Sequence, residues 1–180
     1  DGIGWAARVD ANDIHDFEQS MIESGASGFE VHPLPRRDQV YAVPVTNLQP
    51  ETDRNRRAIG YNMFSEPVRR SAMMEAEETA RPTASGRVVL MQEGGKDAAG
   101  FLVYMPVFDM GPDGRRALKG YIYSPFNAQD FVNSALEGLE NRQVRMSIYD
   151  EVVAPDRLMA EMVSGDAGGE KVSKTVHIAN

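Results

Sequence analysis

Apolar positions recur along this chain at two periods, and the switches between them mark its elements. From Asn12 to Ser24, Ile14, Phe17 and Met21 fall at i, i+3 and i+7, one stripe of a helix. Asn12 is its expected cap, Asp13 and Asp16 suit the positive end of the dipole, and Gly25 is placed to stop it. A second helix is expected from Ser65 to Ala80. Ser65 would cap it and Pro67 would lie in its first turn, where a missing donor costs little. Its stripe would be Val68, Ala72, Ala76 and Thr79, with Arg69, Arg70, Glu77 and Glu78 mostly elsewhere. Asn127 to Leu139 predicts a third helix, capped by Asn127 and striped by Phe131, Ala135 and Leu139. Asp156 to Val163 predicts a short fourth.

Between these, the period drops to two. Strands are expected at Gly28–Leu34, Tyr41–Val45, Arg87–Gln92, Phe101–Phe108, Leu118–Phe126, Val144–Tyr149 and Val172–Ile178. Asn47–Asn55, Arg81–Gly86 and Ser164–Glu170 read as loops. Pro112-Asp113-Gly114 is a turn signature between two long strands. This order suits an α+β fold, PAS-like, with antiparallel sheets and flanking helices. The last 55 or so residues look like the start of a second, smaller sheet.

Composition changes the picture only by exclusion. The chain has 180 residues, 42% of them hydrophobic and 26% charged, which is globular rather than disordered. The net charge of -8 opposes nucleic-acid backbones, and no basic cluster interleaves with aromatics, so no nucleic-acid partner is expected. The absence of cysteine removes disulfides, thiolate metal sites and a cysteine nucleophile. No apolar run approaches the roughly 20 residues that span a bilayer, and Asp1-Gly-Ile-Gly is not a signal peptide. The chain therefore reads as a soluble portion of a longer protein.

Candidate chemistry is thin for an enzyme. His15, His32 and His177 have no partner at metal-ligand spacing, and no metal or cofactor is expected. Asp13, Asp16 and Glu18, and Glu75, Glu77 and Glu78, read as solvated helix faces. No serine sits in a nucleophile elbow, and the glycine pairs are not phosphate loops. No catalytic residue is assigned. The aromatic and methionine set is richer: Tyr41, Met63, Phe64, Met91, Phe101, Tyr104, Met105, Tyr121 and Tyr123 gather on strands and at a helix entrance. Such residues line pockets for small organic ligands, and equally they fill ordinary cores.

Several segments in order carry a family resemblance. They are the Phe17-Glu18 helix, Gly28-Phe29, Tyr41-Ala-Val-Pro-Val45, Asn55 leading to Ile59-Gly60-Tyr61-Asn62, Arg69-Arg70, Leu90-Met-Gln92 and Tyr104-Met-Pro-Val-Phe108. Together they resemble the CHASE domain, the extracytoplasmic sensor of bacterial and plant receptor kinases and cyclases. The resemblance implies two PAS-like subdomains. Residues 1–126 would form the membrane-distal, ligand-binding one, and residues 127–180 part of the membrane-proximal one. It implies a stalk helix mostly preceding this chain, membrane anchoring through flanking segments, and a homodimer. It implies that a small molecule is bound and a signal passed to a histidine kinase, a diguanylate cyclase or an adenylate cyclase.

The ligand residues so implied are Asn62, Met63, Phe64, Ala84, Met91, Tyr104, Tyr121, Tyr123 and Ser124. In plant cytokinin receptors an aspartate at the position of Asn62 reads the adenine ring, and two glycines stand where this chain has Tyr123 and Ser124. Asparagine changes the hydrogen-bonding pattern and Tyr123 fills space a flat purine needs, so the expected ligand is not a cytokinin. Two other readings stay open: a protein-binding or dimerisation module with a filled pocket, and a small enzyme on a PAS-like scaffold.

Overall fold

A computed structural model describes residues 2–91, 98–111, 114–135, 137, 144–164 and 172–176. Its elements follow one another as β1 (Ile3–Ala7), β2 (Val9–Asp10), α1 (Ile14–Glu23), β3 (Tyr41–Ala42), β4 (Val45–Gln49), α2 (Asp53–Arg56), a 3-10 turn at Met63–Ser65 and α3 (Pro67–Thr79). Then come β5 (Thr83–Ala84), β6 (Val88–Val89), β7 (Ala99–Met110), β8 (Arg116–Asn127), α4 (Ala128–Ala135), β9 (Val144–Tyr149), a 3-10 turn at Pro155–Arg157 and β10 (Leu158–Ser164).

The expected α+β class is what the chain adopts. The main sheet runs β4-β1-β8-β7-β5, with β6 also on β7, and every pairing is antiparallel. Its backbone is the β7–β8 hairpin, in which Tyr104 faces Tyr123 and Phe101 faces Phe126. Gly114 closes the turn with φ +76° and donates its N–H to the Gly111 carbonyl. Pro112 and Asp113 lie outside the described residues.

Strand β1 was not expected from the sequence, yet it is central. It pairs with both β4 and β8, and Gly4 lies opposite Tyr123. A Cβ at Gly4 would stand 2.6 Å from the Tyr123 ring and 2.5 Å from the Asn47 carbonyl oxygen. Glycine is therefore what lets the tyrosine lie across the strand.

One face of this sheet is covered. Tyr104, Tyr121 and Tyr123 rise from it to meet Met73, Ala72 and Ala76 of α3 and Met63 and Phe64 of the 3-10 turn. A second cluster joins Val9, Ile14, Phe29, Val31 and Ala42 under α1. A third joins Ala128 and Val132 of α4 to Ala160, with Met146, Ile148, Met159 and Met162 packed on it.

Several expected elements take other forms. Gly28–Leu34 is irregular, with one bridge from His32 to Tyr61. The expected strand Tyr41–Val45 is two strands, because the chain changes sheets around Pro44: β3 pairs β2 and β4 joins the main sheet. The expected loop from Asn47 begins inside β4 and contains α2, whose cap is the Thr52 hydroxyl accepting from the Asn55 N–H. The expected helix Asp156–Val163 is a 3-10 turn followed by β10, because pairing with β9 overrides local preference. Residues 172–176 of the expected last strand have no regular structure. Gln92, the Leu139 end of the third helix, Asn127-capped as expected, and residues 165–170 of the last loop lie outside the described set or at its border.

Caps and stripes also shift. Asp13, not Asn12, occupies the N-cap of α1, without a side-chain bond. Glu66, not Ser65, caps α3, its two oxygens accepting from the Val68 and Arg69 N–H groups at 3.0 and 2.8 Å. The buried stripe of α3 is Arg69, Ala72, Met73 and Ala76, whereas Val68 is 38% exposed.

Candidate ligand site

Strand alternation sorts the expected ligand residues onto two faces of the sheet. Tyr104, Tyr121 and Tyr123 point into the main core, where Met63 and Phe64 meet them. Ala84 and Ser124 belong to the opposite face, in one row through Val103. Ser124 Oγ donates to the Gly2 carbonyl at 2.6 Å. Met91 lies partly exposed, following the short strand β6. Of the wider aromatic set, Phe101 stacks on Phe126 with ring centroids 5.1 Å apart, and Met105 is exposed.

Asn62 is fully buried, and its side chain is spent on backbone. Oδ1 accepts from the Val43 N–H at 2.9 Å and the Phe64 N–H at 3.2 Å, and Nδ2 donates to the Pro33 carbonyl at 3.1 Å. Three segments are tied at that one amide. Gly60 makes the approach possible. It sits at φ +83°, and a Cβ there would collide with the Glu30 carbonyl.

The tyrosine hydroxyls differ in what they meet. Tyr121 donates to the Met73 carbonyl at 3.0 Å. Among the described residues, Tyr104 has only the Met63 sulfur, at 3.7 Å, a weak acceptor. Tyr123 is 3% exposed and its hydroxyl has no hydrogen-bond partner. Burial pushes all three hydroxyls far above the ordinary phenol range, and the Arg69 cation pulls Tyr104 and Tyr123 part of the way back. Tyr41 is raised as well, by burial first and then by Glu77, whose carboxylate its hydroxyl approaches at 3.4 Å.

Arg69 is the residue that sequence patterning placed on the wrong face of its helix. It is 3% exposed. Nη2 donates to the Val89 carbonyl at 2.7 Å, and the guanidinium stands 5.0 Å from the Tyr61 ring centre. Nε has no partner, and no carboxylate is paired with the side chain among the described residues. The signal was present: Arg69, Ala72, Met73 and Ala76 fall at i, i+3, i+4 and i+7, a better helical face than the stripe begun at Val68.

A groove of about 380 Å³ opens at the surface between Pro33, Leu34, Arg36, Tyr61, Glu66 and Pro67. Tyr61 and Glu66 thus border both this groove and the surroundings of Arg69. Among the described residues, no three histidine or acidic side chains gather as a metal would require. No described helix is long and apolar enough to cross a membrane.

The model of the CHASE domain matches residues 1–160. The chain belongs to the CHASE family. No curated protein matches it. CHASE domains are extracytoplasmic sensor domains of signalling receptors, not catalysts, so this chain's work is reception. The buried Arg69–Tyr104–Tyr123 group is where this CHASE domain departs from a plain hydrophobic core.

Proposed function

We propose that this CHASE domain is the small-molecule input module of a transmembrane receptor. The observation that carries the reading is the pair of buried, unpartnered polar atoms Arg69 Nε, on the inner face of α3, and Tyr123 Oη, on β8. A buried polar group without a partner costs about 1–3 kcal/mol, and such groups are kept where something else completes them. The ligand-binding group comprises Asn62, Met63, Phe64, Tyr104, Tyr121 and Tyr123, with Ala84, Met91 and Ser124 outside its inner shell.

The ligand is not a cytokinin. Asn62 offers its amide to backbone, and Tyr123 fills the space above Gly4. Residues 1–126 act as the membrane-distal, ligand-binding subdomain and residues 127–180 as the proximal one. The distal part hands its signal on through β8, which runs directly into α4. The domain sits outside the inner membrane, anchored through flanking segments. It works as a homodimer joined to a histidine kinase or a nucleotide cyclase.

A second reading has its own support. The uncovered sheet face carries Trp5, Ile122 and Met105 side by side, with Met105 51% exposed. A domain sensing a protein partner would present such a face and keep its core filled.

A thermal-shift panel of purines and cytokinins, amino acids, short carboxylates and sugars separates the two. A ligand at one hundred times its dissociation constant adds about 2.7 kcal/mol, a rise of several degrees for a chain of this size. A shift that disappears in Tyr104→Phe places the ligand in the core. No shift from any class overturns the small-molecule reading in favour of the protein partner.

A further inference from the structure

We infer that the core of this domain recognises a small organic carboxylate, held by the Arg69 guanidinium and the Tyr123 hydroxyl. The inference rests on the small-molecule reading and names its ligand class.

The argument begins with charge. An arginine keeps its proton in any protein environment, so a buried Arg69 is a buried cation. A buried cation that lacks an anion is expensive, and proteins ordinarily supply a carboxylate. Here Arg69 has one carbonyl and one aromatic ring. Glu66, the carboxylate three residues before it, spends both oxygens on helix N–H groups. The guanidinium therefore keeps a free Nε–H, on a fork whose geometry fits two carboxylate oxygens.

The second observation is independent of the helix. Tyr123 comes from β8, on the opposite side of the core, and its hydroxyl is buried with nothing to donate to. Among the described residues, Tyr104, its cross-strand partner, donates only to a thioether. Arg69 lies on the buried face of α3 with Ala72, Met73 and Ala76, the face that packs against both tyrosines, and its charge acts on both hydroxyls. One cation and two under-used donors share that core, and the carboxylate whose charge reaches Tyr104, Glu66, is already taken up by the N–H groups of the helix start. That set is complementary to a monoanion carrying oxygen lone pairs.

The remaining surroundings fix the rest of the molecule. Met63 touches the Tyr104 hydroxyl and is 2% exposed, and methionine reshapes at low cost. Displacing its sulfur makes room beside the two phenols for a carboxylate with a short apolar tail. Tyr61 borders both Arg69 and the surface groove, and the ligand's route in runs past that ring. A phosphate dianion would exceed the single positive charge available.

The test is calorimetric titration of the 180-residue chain with acetate, propanoate, pyruvate and benzoate, each against its neutral amide, and with inorganic phosphate at matched ionic strength. The expected result is single-site binding of at least one carboxylate, with its amide at least about thirtyfold weaker. Arg69→Gln abolishes that binding, and Tyr123→Phe weakens it about tenfold, the equivalent of one hydrogen bond. If Arg69→Gln does not fold, Tyr123→Phe decides, since it removes one oxygen atom. Equal binding of acid and amide, or binding unaffected by either variant, overturns the inference. So does binding of phosphate alone, or of no carboxylate at all. A neutral purine or sugar bound in the core would sink the carboxylate and leave the small-molecule sensor standing.

Discussion

Tyr121 and Tyr123 lie two residues apart on one strand and point into one core, yet their hydroxyls are in opposite situations. The Tyr121 oxygen donates to Met73, and the Tyr123 oxygen has no partner. Removing a satisfied hydroxyl forfeits a buried hydrogen bond, whereas removing an unsatisfied one deletes a desolvation cost. Tyr121→Phe is therefore expected to lower stability by about 1–2 kcal/mol, and Tyr123→Phe to raise it by about 1 kcal/mol. Urea unfolding of the two variants beside the parent chain checks this. A loss in Tyr123→Phe equal to that in Tyr121→Phe would show that its oxygen has a partner, and would weaken the site built on it. Asn62 makes the complementary point. The sequence marks it as a ligand position through family resemblance, but which atoms its amide meets depends on Pro33 and Val43, 29 and 19 residues away. No local pattern carries that information.

Helix α3 is the element that brings Arg69 into the core, so its start matters more than its length. Glu66 accepts from two N–H groups of the first turn, and Pro67 needs no acceptor. Glu66→Ala is expected to cost about 1–2 kcal/mol, toward the upper range for a lost cap because two bonds go at once. Chemical denaturation should show a lower midpoint with an unchanged slope. A changed slope would mean that the helix end had come apart in the native state. The existence of this helix was legible from its apolar spacing, but the face it buries shows only when the whole stripe is weighed. Val68 outranks Arg69 on any hydropathy scale, and only the whole stripe through Met73 puts the arginine inside. The β7–β8 hairpin was legible for the same reason in reverse: alternation over two long runs and a turn signature leave little choice. Strand β1 was not. Ile3-Gly-Trp-Ala-Ala7 is short and rich in small residues, and its place between β4 and β8 is decided by partners about 40 residues away or more. The helix expected at Asp156–Val163 failed likewise, since its pairing with β9 lies beyond any local window.

At the scale of the molecule, the core is unusual in resting on phenols. Tyr104, Tyr121 and Tyr123 are all nearly inaccessible, and burial raises each above its ordinary value. In the unfolded chain the same hydroxyls ionise near pH 10. A group whose folded value is raised contributes stability that is fully present below the unfolded value and lost as pH rises past it. Below about pH 9 these tyrosines should leave stability flat. Above about pH 10 each costs up to about 1.4 kcal/mol per pH unit, so the three together steepen the loss to about 4 kcal/mol per unit. The acidic balance of the chain, -8 near neutrality, adds repulsion of the same sign. Phenolate absorbance and far-ultraviolet circular dichroism, followed together from pH 8 to 12, test the point. Ionisation of these three tyrosines should appear only with loss of secondary structure, in one transition. If all six tyrosines ionised while the fold persisted, hydroxide would be reaching the core. The packing of Met63 against Tyr104 would then be open without a ligand. A bound carboxylate that takes hydrogen bonds from Tyr104 and Tyr123 should move the transition to higher pH, because it binds the protonated phenols and excludes the ionised ones. Alkaline unfolding thus reads the state of the site through the stability of the whole domain.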